Sequence, residues 1–127
     1  MKGACHMRKV MLSLVAAITL AVAALFPAAP ALASATRQSG DVRLYVNGSK
    51  LHVNYAAITN LSAGTAYPVL FIADIATFEG PLPSKYTVTV TVDQSYPAGT
   101  QVCARLFIYV GTRIFWLPGF PCITLST

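Results

Sequence analysis

The segment Thr100–Ile123 constrains the fold more than any other part of the chain, because it places two cysteines around a long apolar run. Its sequence is TQVCARLFIYVGTRIFWLPGFPCI, which predicts a β-hairpin with the turn at Gly111-Thr112. Residues that face each other across such a turn have numbers with a constant sum, so Ile108 is expected opposite Phe115. We name this segment the cysteine hairpin.

The two cysteines of this hairpin fit its register only if the return strand is interrupted. Without an interruption, Cys103 and Cys122 lie diagonally, too far apart for a relaxed disulfide. Two extra residues bring them opposite each other, and Pro118-Gly119 suits this role because Pro cannot donate to the ladder and Gly tolerates a bulge. We therefore predict a Cys103–Cys122 disulfide, which stabilises a small domain by about 3 kcal/mol.

Residues 1–33 are predicted to be an export signal peptide. Three basic residues precede the uninterrupted run Val10–Phe26, and the small-x-small pattern at 31–33 predicts cleavage before Ser34. A second frame would move the cut to Thr36. The alternative is an uncleaved membrane anchor, for which the run is at the short limit. The leader looks bacterial, so we expect a secreted protein, extracellular or associated with the cell surface.

The charge and the cysteine count change once the leader is removed. Six basic and four acidic residues remain, a net charge of +2, which gives no case for nucleic acid as a partner. Cys5 leaves with the leader, so the remaining cysteines pair evenly, as expected for an oxidising compartment. We expect residues 34–40 to be a flexible lead-in and residues 41–127 to form one β-sandwich domain, with no membrane contact after cleavage.

The first half of that domain predicts a second hairpin. Val42, Leu44 and Val46 alternate with polar residues, and Asn47-Gly48 follows at once. Asn-Gly between alternating segments favours a type I′ turn, because both central positions need positive φ. This turn would place Leu44 opposite residue 51 and all the apolar side chains on one face.

Two further segments read as strands. Tyr67–Ile75 is apolar at both parities, which is typical of a strand covered on both faces. Lys85–Asp93 alternates strictly. Its expected core face is Tyr86, Val88, Val90 and Val92, and its expected solvent face is Thr87, Thr89 and Thr91.

In total the sequence predicts about seven strands and no helix, which indicates an all-β, antiparallel two-sheet sandwich. The phrases LHVNYAAITNLSAG, YTVTVTV and YPAGTQVCARL resemble bacterial immunoglobulin-like and fibronectin-III-like extracellular modules. The resemblance implies an adhesion or spacer role but transfers no site residue. Trp116 lies between the cysteines of one hairpin, unlike the antibody order, and Gln101 stands where a tyrosine corner would place Tyr.

Alternation within the cysteine hairpin predicts a contact surface. The core face carries alternate aliphatic residues from Val102 to Ile108, and burial of an unpaired Arg would be costly, so Arg105 is expected on the outer face. The full outer face is then Arg105, Phe107, Tyr109, Ile114 and Trp116. We predict that this aromatic surface contacts a protein or glycan partner, or a second copy of the chain. The alternative is that another strand or the loop at Glu79–Pro83 covers it.

The function expected from these features is a non-catalytic binding or structural module. Two alternatives are a secreted inhibitor of an extracellular hydrolase, acting through the loop Trp116–Pro121 or Glu79–Pro83, and a carbohydrate-binding accessory protein. An enzyme is not expected, since His52, the only His after the leader, is predicted to face Arg43, and nothing in the sequence places a Ser, His and Asp together. No metal-ligand spacing is present, so neither a metal nor a cofactor is expected.

Overall fold

The computed structural model of the protein describes residues 34–127, so the predicted signal peptide and the residues before its cleavage site lie outside the described part. Within residues 34–127 the chain forms nine strands and no helix, where the sequence predicts about seven strands. The strands are β1 Ser34–Ser39, β2 Val42–Ser49, β3 His52–Asn60, β4 Tyr67–Ile72, β5 Ile75–Glu79, β6 Thr87–Ser95, β7 Gln101–Val110, β8 Arg113–Trp116 and β9 Cys122–Thr124. Accordingly, this part of the chain contains no helix of the length and apolarity needed to cross a membrane.

These strands form two antiparallel sheets, as the sequence predicts. One sheet has four strands in the order β1-β2-β3-β6, and the other has five, in the order β5-β4-β7-β8 with β9 also paired to β7. The core between the sheets consists of alternate side chains, because successive residues of a strand point to opposite faces. Its fully buried members include Val42, Leu44, Val53, Ile58, Leu70, Val102, Ala104 and Leu106.

The segment 34–40 differs from the prediction of a flexible lead-in. Ser34–Ser39 forms the edge strand β1, paired antiparallel to β2 with Ser39 facing Val42. Ala35 packs against the core, whereas the remainder of β1 is exposed. The polar composition that favours a loop also suits an edge strand, because such a strand borders solvent along its unpaired side and polar side chains there oppose pairing with other chains.

The predicted turn at Asn47-Gly48 is wrong. β2 continues through both residues, and the turn lies at Lys50-Leu51, where Lys50 has a φ of +56°. Asn47-Gly48 instead marks a β-bulge, and a side chain at Gly48 would clash with the carbonyl oxygen of His52. The glycine therefore allows a close approach of two backbones rather than a turn. Leu44 faces Ile58 rather than residue 51.

Two other strand predictions need correction. The strand expected over Tyr67–Ile75 ends at Ile72, and a turn at Ala73-Asp74, both with positive φ, leads back into β5. In β6 the alternation of valines inward and threonines outward is confirmed, but Tyr86 precedes the strand and is 74% exposed. The alternation of apolar and polar residues therefore begins before Thr87, whereas burial of the apolar side chains begins only within β6.

The cysteine hairpin is confirmed in turn, register and disulfide. Val110 faces Arg113 and Ile108 faces Phe115, while Cys103 faces Cys122 in the offset register of β9. The two cysteines are disulfide-bonded, with Cα atoms 4.1 Å apart. The interruption between β8 and β9 includes Gly119, whose φ is +117° and whose absent side chain leaves room for the carbonyl oxygen of Ser39.

Candidate functional site

The candidate site is the outer surface of the five-stranded sheet, opposite the core. The register places Tyr67 beside Phe107 and Val69 beside Arg105, so that β4 and β7 direct these side chains to the same face. Ile114 and Trp116 of β8 join them through their pairing with Tyr109 and Phe107. We name this surface the aromatic face and define it as Tyr67, Val69, Phe71, Arg105, Phe107, Tyr109, Ile114, Trp116 and Phe120.

Phe107 is the centre of this face rather than an exposed member of it. Its ring stacks on Tyr67 at a centroid distance of 5.0 Å and meets Tyr109 and Trp116 edge-on at 5.4 and 5.5 Å. These neighbours leave Phe107 only 2% exposed, so the prediction that it lies at the surface is wrong. Large apolar side chains on an outward face bury one another where three adjacent strands carry rings.

The other predicted members of the surface are accessible. Tyr109, Ile114 and Trp116 are 51%, 50% and 42% exposed, and Phe120 adds a further exposed ring. Phe120 contacts Phe71 edge-on at 5.7 Å, which extends the ring cluster toward the disulfide end of β7. Local sequence patterns do not identify Tyr67, Phe71 and Phe120 as members of this surface. The first two join it through the pairing of β4 with β7, and Phe120 joins it through its contact with Phe71.

Arg105 lies on the outer face as predicted, and it stacks on rings. Its guanidinium carbon is 4.3 Å from the centroid of Trp116 and 5.3 Å from that of Phe120. The Nε atom is buried without a hydrogen-bond partner among residues 34–127. A guanidinium held over an aromatic ring gains about 1 kcal/mol when exposed and about 2 kcal/mol when desolvated. The positive charge is therefore fixed at the centre of an apolar surface.

A shallow groove runs across the aromatic face between its two edges. Its volume is about 230 Å³, and its lining is Val69, Phe71, Ala76, Glu79, Phe107, Ile114 and Trp116. Glu79 is the only charged residue of that lining and lies at the edge strand β5. A second depression, of about 370 Å³, lies beside it between Tyr67, Tyr109 and the segment Glu79–Pro81. The loop Glu79–Pro83, which would cover the surface in the alternative interpretation, thus borders it and leaves Tyr109, Ile114 and Trp116 exposed.

The segment Trp116–Pro121 is held against the four-stranded sheet's first turn. The amide of Asp41 donates to the carbonyl oxygen of Pro118 at 2.8 Å, and Gly119 packs directly on Ser39. Pro121 is buried, and Leu117 donates its amide to Leu106. This packing matches an interrupted strand end whose exposed parts are mainly the side chains that flank Arg105.

The structure brings together a Ser, a His and an Asp whose proximity is not predicted from the sequence. His52 does not face Arg43; its Nδ1 lies 2.8 Å from the Ser95 hydroxyl, and its Nε2 lies 2.9 Å from a carboxylate oxygen of Asp93. Asp93 occupies a bulge of β6 with a φ of +46°. Its side chain is 77% exposed, whereas the carboxylate of a catalytic triad is buried and orients the imidazole. The arrangement suits a set of hydrogen bonds that closes the bulge.

Comparisons with known proteins give no relative for this chain: no family model, no curated protein and no solved structure matches it. Among residues 34–127, no three His, Cys, Asp or Glu side chains cluster in a way that could hold a metal ion. The chemistry of the aromatic face therefore carries the functional argument by itself.

Proposed function

We propose that this chain is a secreted or cell-surface, non-catalytic module that binds a protein partner through its aromatic face. The observation that carries the proposal is the exposure of Tyr109, Ile114 and Trp116 around the buried ring of Phe107. Exposed aromatic residues and Arg are enriched where proteins bind each other, and the strongest contributions come from Trp, Tyr and Arg. The leader-like sequence of residues 1–33 and the disulfide support an extracellular setting.

The lining of the groove favours an apolar protein side chain over a sugar. A sugar-binding site needs several polar groups beside its rings, because each hydroxyl lost from water must be paired again. Among the residues that line the groove, only Glu79 and the indole N–H of Trp116 offer such groups. We infer a partner that inserts an apolar side chain beside Trp116 and presents a carboxylate to Arg105, which has no acidic partner within residues 34–127.

The immunoglobulin-like description is also part of this proposal. The order β5-β4-β7-β8 corresponds to strands C′, C, F and G of such domains, and β2-β3-β6 corresponds to A, B and E. In this assignment the disulfide joins F to the short strand β9 that follows G, rather than B to F, and β1 is an additional edge strand. The aromatic face is then the outer surface of the sheet that contains F and G.

The decisive experiment compares matched aromatic-to-serine variants on the two outer surfaces. Mature protein is used to capture partners from the envelope and medium, and the affinity of the purified partner is then measured. The double variant Trp116→Ser/Tyr109→Ser is expected to weaken binding by about 30-fold or more, since each removed ring is a candidate hot spot. The control Tyr45→Ser/Tyr55→Ser alters two rings of the opposite sheet and is expected to leave affinity unchanged.

A second measurement identifies the contact. Trp116 is the only Trp in the chain, so its fluorescence reports on this surface alone. Binding of the partner is expected to shift and protect that fluorescence, and Arg105→Met is expected to reduce both affinity and its dependence on salt. Equal affinity of wild type and the Trp116→Ser/Tyr109→Ser variant would overturn the proposal. Retention on insoluble polysaccharide with quenching by soluble sugar would replace the protein partner with a glycan.

A further inference from the structure

We propose that β8 pairs with β8 of a second copy, so that two five-stranded sheets join edge to edge across a two-fold axis. This contact is made by the backbone of an edge strand and reaches the aromatic face only at its border, through Ile114 and Trp116, so it goes beyond the function proposed above. β8 pairs only with β7 among residues 34–127, and all four of its residues are exposed. An exposed edge strand offers unpaired amides and carbonyls to another strand.

The free backbone groups of β8 can be assigned to particular residues. In an antiparallel pair, hydrogen-bonded and non-hydrogen-bonded residue pairs alternate. The amide of Leu117 donates to the carbonyl oxygen of Leu106 at 2.8 Å, which places this pair in the hydrogen-bonded set. In the same register, Phe115 and Arg113 bond to β7, whereas Ile114 and Trp116 direct their amides and carbonyls away from it.

Symmetry then limits the register of the pairing. A two-fold axis perpendicular to the sheet keeps every side chain on its own face, so residues that face each other must both be even or both be odd. The register centred on Phe115 places Phe115 opposite its own copy and Ile114 opposite Trp116 of the second copy. Ile114 and Trp116 are the residues with free backbone groups, so each of the two symmetry-related pairs can exchange two hydrogen bonds.

The side chains of β8 suit this register on both faces. Phe115 is 47% exposed and would meet an identical ring in a non-hydrogen-bonded pair, where side chains approach most closely. Ile114 and Trp116 would meet on the aromatic face. The only charge of the strand, Arg113, faces residue 117 of the other copy, so no like charges oppose each other. Edge strands that avoid such pairing usually carry inward charges or prolines, and β8 carries neither between residues 114 and 116.

The net charge and geometry are compatible with this association. Residues 34–127 carry six basic and four acidic side chains, so self-repulsion between copies is weak. Because the axis is perpendicular to the sheet, the dimer has both aromatic faces on the same side. A partner with two contact points could therefore engage both copies at once, with a gain from multivalency.

The test introduces a charge at Phe115, the residue that faces its own copy across the two-fold axis. Sedimentation equilibrium of the mature protein, from micromolar to millimolar concentration, is expected to show a monomer–dimer equilibrium. Phe115→Lys and Phe115→Glu, each alone, should weaken dimerisation by about tenfold or more, because identical charges then face each other. An equimolar mixture of the two variants should recover the dimer as a heterodimer, since opposite charges then meet in the same register.

A variant that removes a backbone amide distinguishes the contribution of the backbone hydrogen bonds from that of the side chains. Ile114→Pro removes an amide that points away from β7, so the fold should persist while the dimer is lost. Ile114→Val keeps that amide and should keep the dimer. Circular dichroism establishes that each variant is folded. If Ile114→Pro unfolds, the test depends on the Phe115→Lys and Phe115→Glu variants instead.

Three results would overturn the inference: a wild-type protein that is monomeric at millimolar concentration, a dimer insensitive to Phe115→Lys, or the absence of rescue in the mixture. These results are distinguishable from failure of the proposed function. A monomeric wild type whose Trp116→Ser/Tyr109→Ser variant loses its partner would remove the dimer alone. A dimer in which that variant keeps the partner would remove the partner surface alone.

Discussion

The two outer surfaces of the sandwich satisfy their side chains in opposite ways. On the four-stranded sheet, hydroxyl and amide groups bond across neighbouring strands, as Thr59 does with Thr87 at 2.9 Å and Arg43 with Gln38 at 3.1 Å. We name this surface the polar face and define it as the outward side chains of β1, β2, β3 and β6. On the aromatic face, the corresponding contacts are between rings, and Arg105 stacks on Trp116.

This difference shows how one strand pattern can produce a hydrogen-bonded polar surface and an aromatic surface. Both sheets place aliphatic residues inward at every second position, so their contributions to the core are similar. The outward positions differ in chemistry: β6 carries threonines, whereas β7 carries Arg105, Phe107 and Tyr109. Threonines leave a surface that water and neighbouring strands can satisfy, while the rings of Tyr109 and Trp116 leave exposed apolar area.

The largest difference between the two faces is expected on removal of Phe107, the ring at the centre of the aromatic face. Phe107→Ala is expected to lower the free energy of unfolding by about 3–5 kcal/mol, the range for a buried Phe, although the residue points away from the main core. The matched change on the polar face, Thr89→Ala, is expected to stay within about 0.5 kcal/mol. Urea unfolding measures both. A loss for Phe107→Ala as small as the control would mean that the ring cluster excludes little water.

Local turn chemistry made part of this architecture predictable. The register of the cysteine hairpin follows from the two-residue turn at Gly111-Thr112, and the disulfide follows from adding an interruption to that register. Both depend on residues close in sequence, for which alternation and turn geometry suffice. The outward direction of Arg105 follows from the same alternation, because the neighbouring positions are aliphatic.

The features that were missed depend on pairing between distant segments. The burial of Phe107 requires Tyr67 of β4, and the contact of His52 with Ser95 requires the pairing of β3 with β6. Asn-Gly at residues 47–48 predicts a turn, yet a bulge uses the same freedom of the backbone. A single sequence does not show whether such a glycine lies in a turn or in a bulge.

The second prediction concerns the covalent link, which lies only in the five-stranded sheet. Replacement of Cys103 and Cys122 with Ala is expected to lower the free energy of unfolding by about 3 kcal/mol. Hydrogen exchange should show the loss first in β7 and β9, while β2 and β3 keep their protection, because the link joins only the former pair. Reduced wild-type protein is the control and should behave as the variant does. Uniform loss across both sheets would mean that the two sheets unfold as one unit.

The smallest expected effect lies on the polar face, where hydrogen bonding changes the ionisation of a phenol. The Asn47 side-chain amide donates to the Tyr45 hydroxyl at 3.2 Å, and this bond, with that of Ser34, lowers the pKa of Tyr45 below its usual value near 10.0. Asn47→Ala should therefore raise the pKa of Tyr45. Ultraviolet absorbance during alkaline titration measures the change.

The same change has a defined sign in stability. A phenol whose pKa is lowered by folding releases its proton more readily in the native state, so Tyr45 adds stability as pH rises from its folded pKa toward 10. Asn47→Ala should remove that gain in this window and leave neutral pH unaffected by it. Asn54→Ala is the control, because Asn54 donates to the carbonyl oxygen of the Asn47 side chain at 2.9 Å and not to the phenol. Identical titration curves for wild type and Asn47→Ala would show that water satisfies the phenol of Tyr45 as well as the amide of Asn47 does, and that this hydrogen bond leaves the ionisation of Tyr45 unchanged.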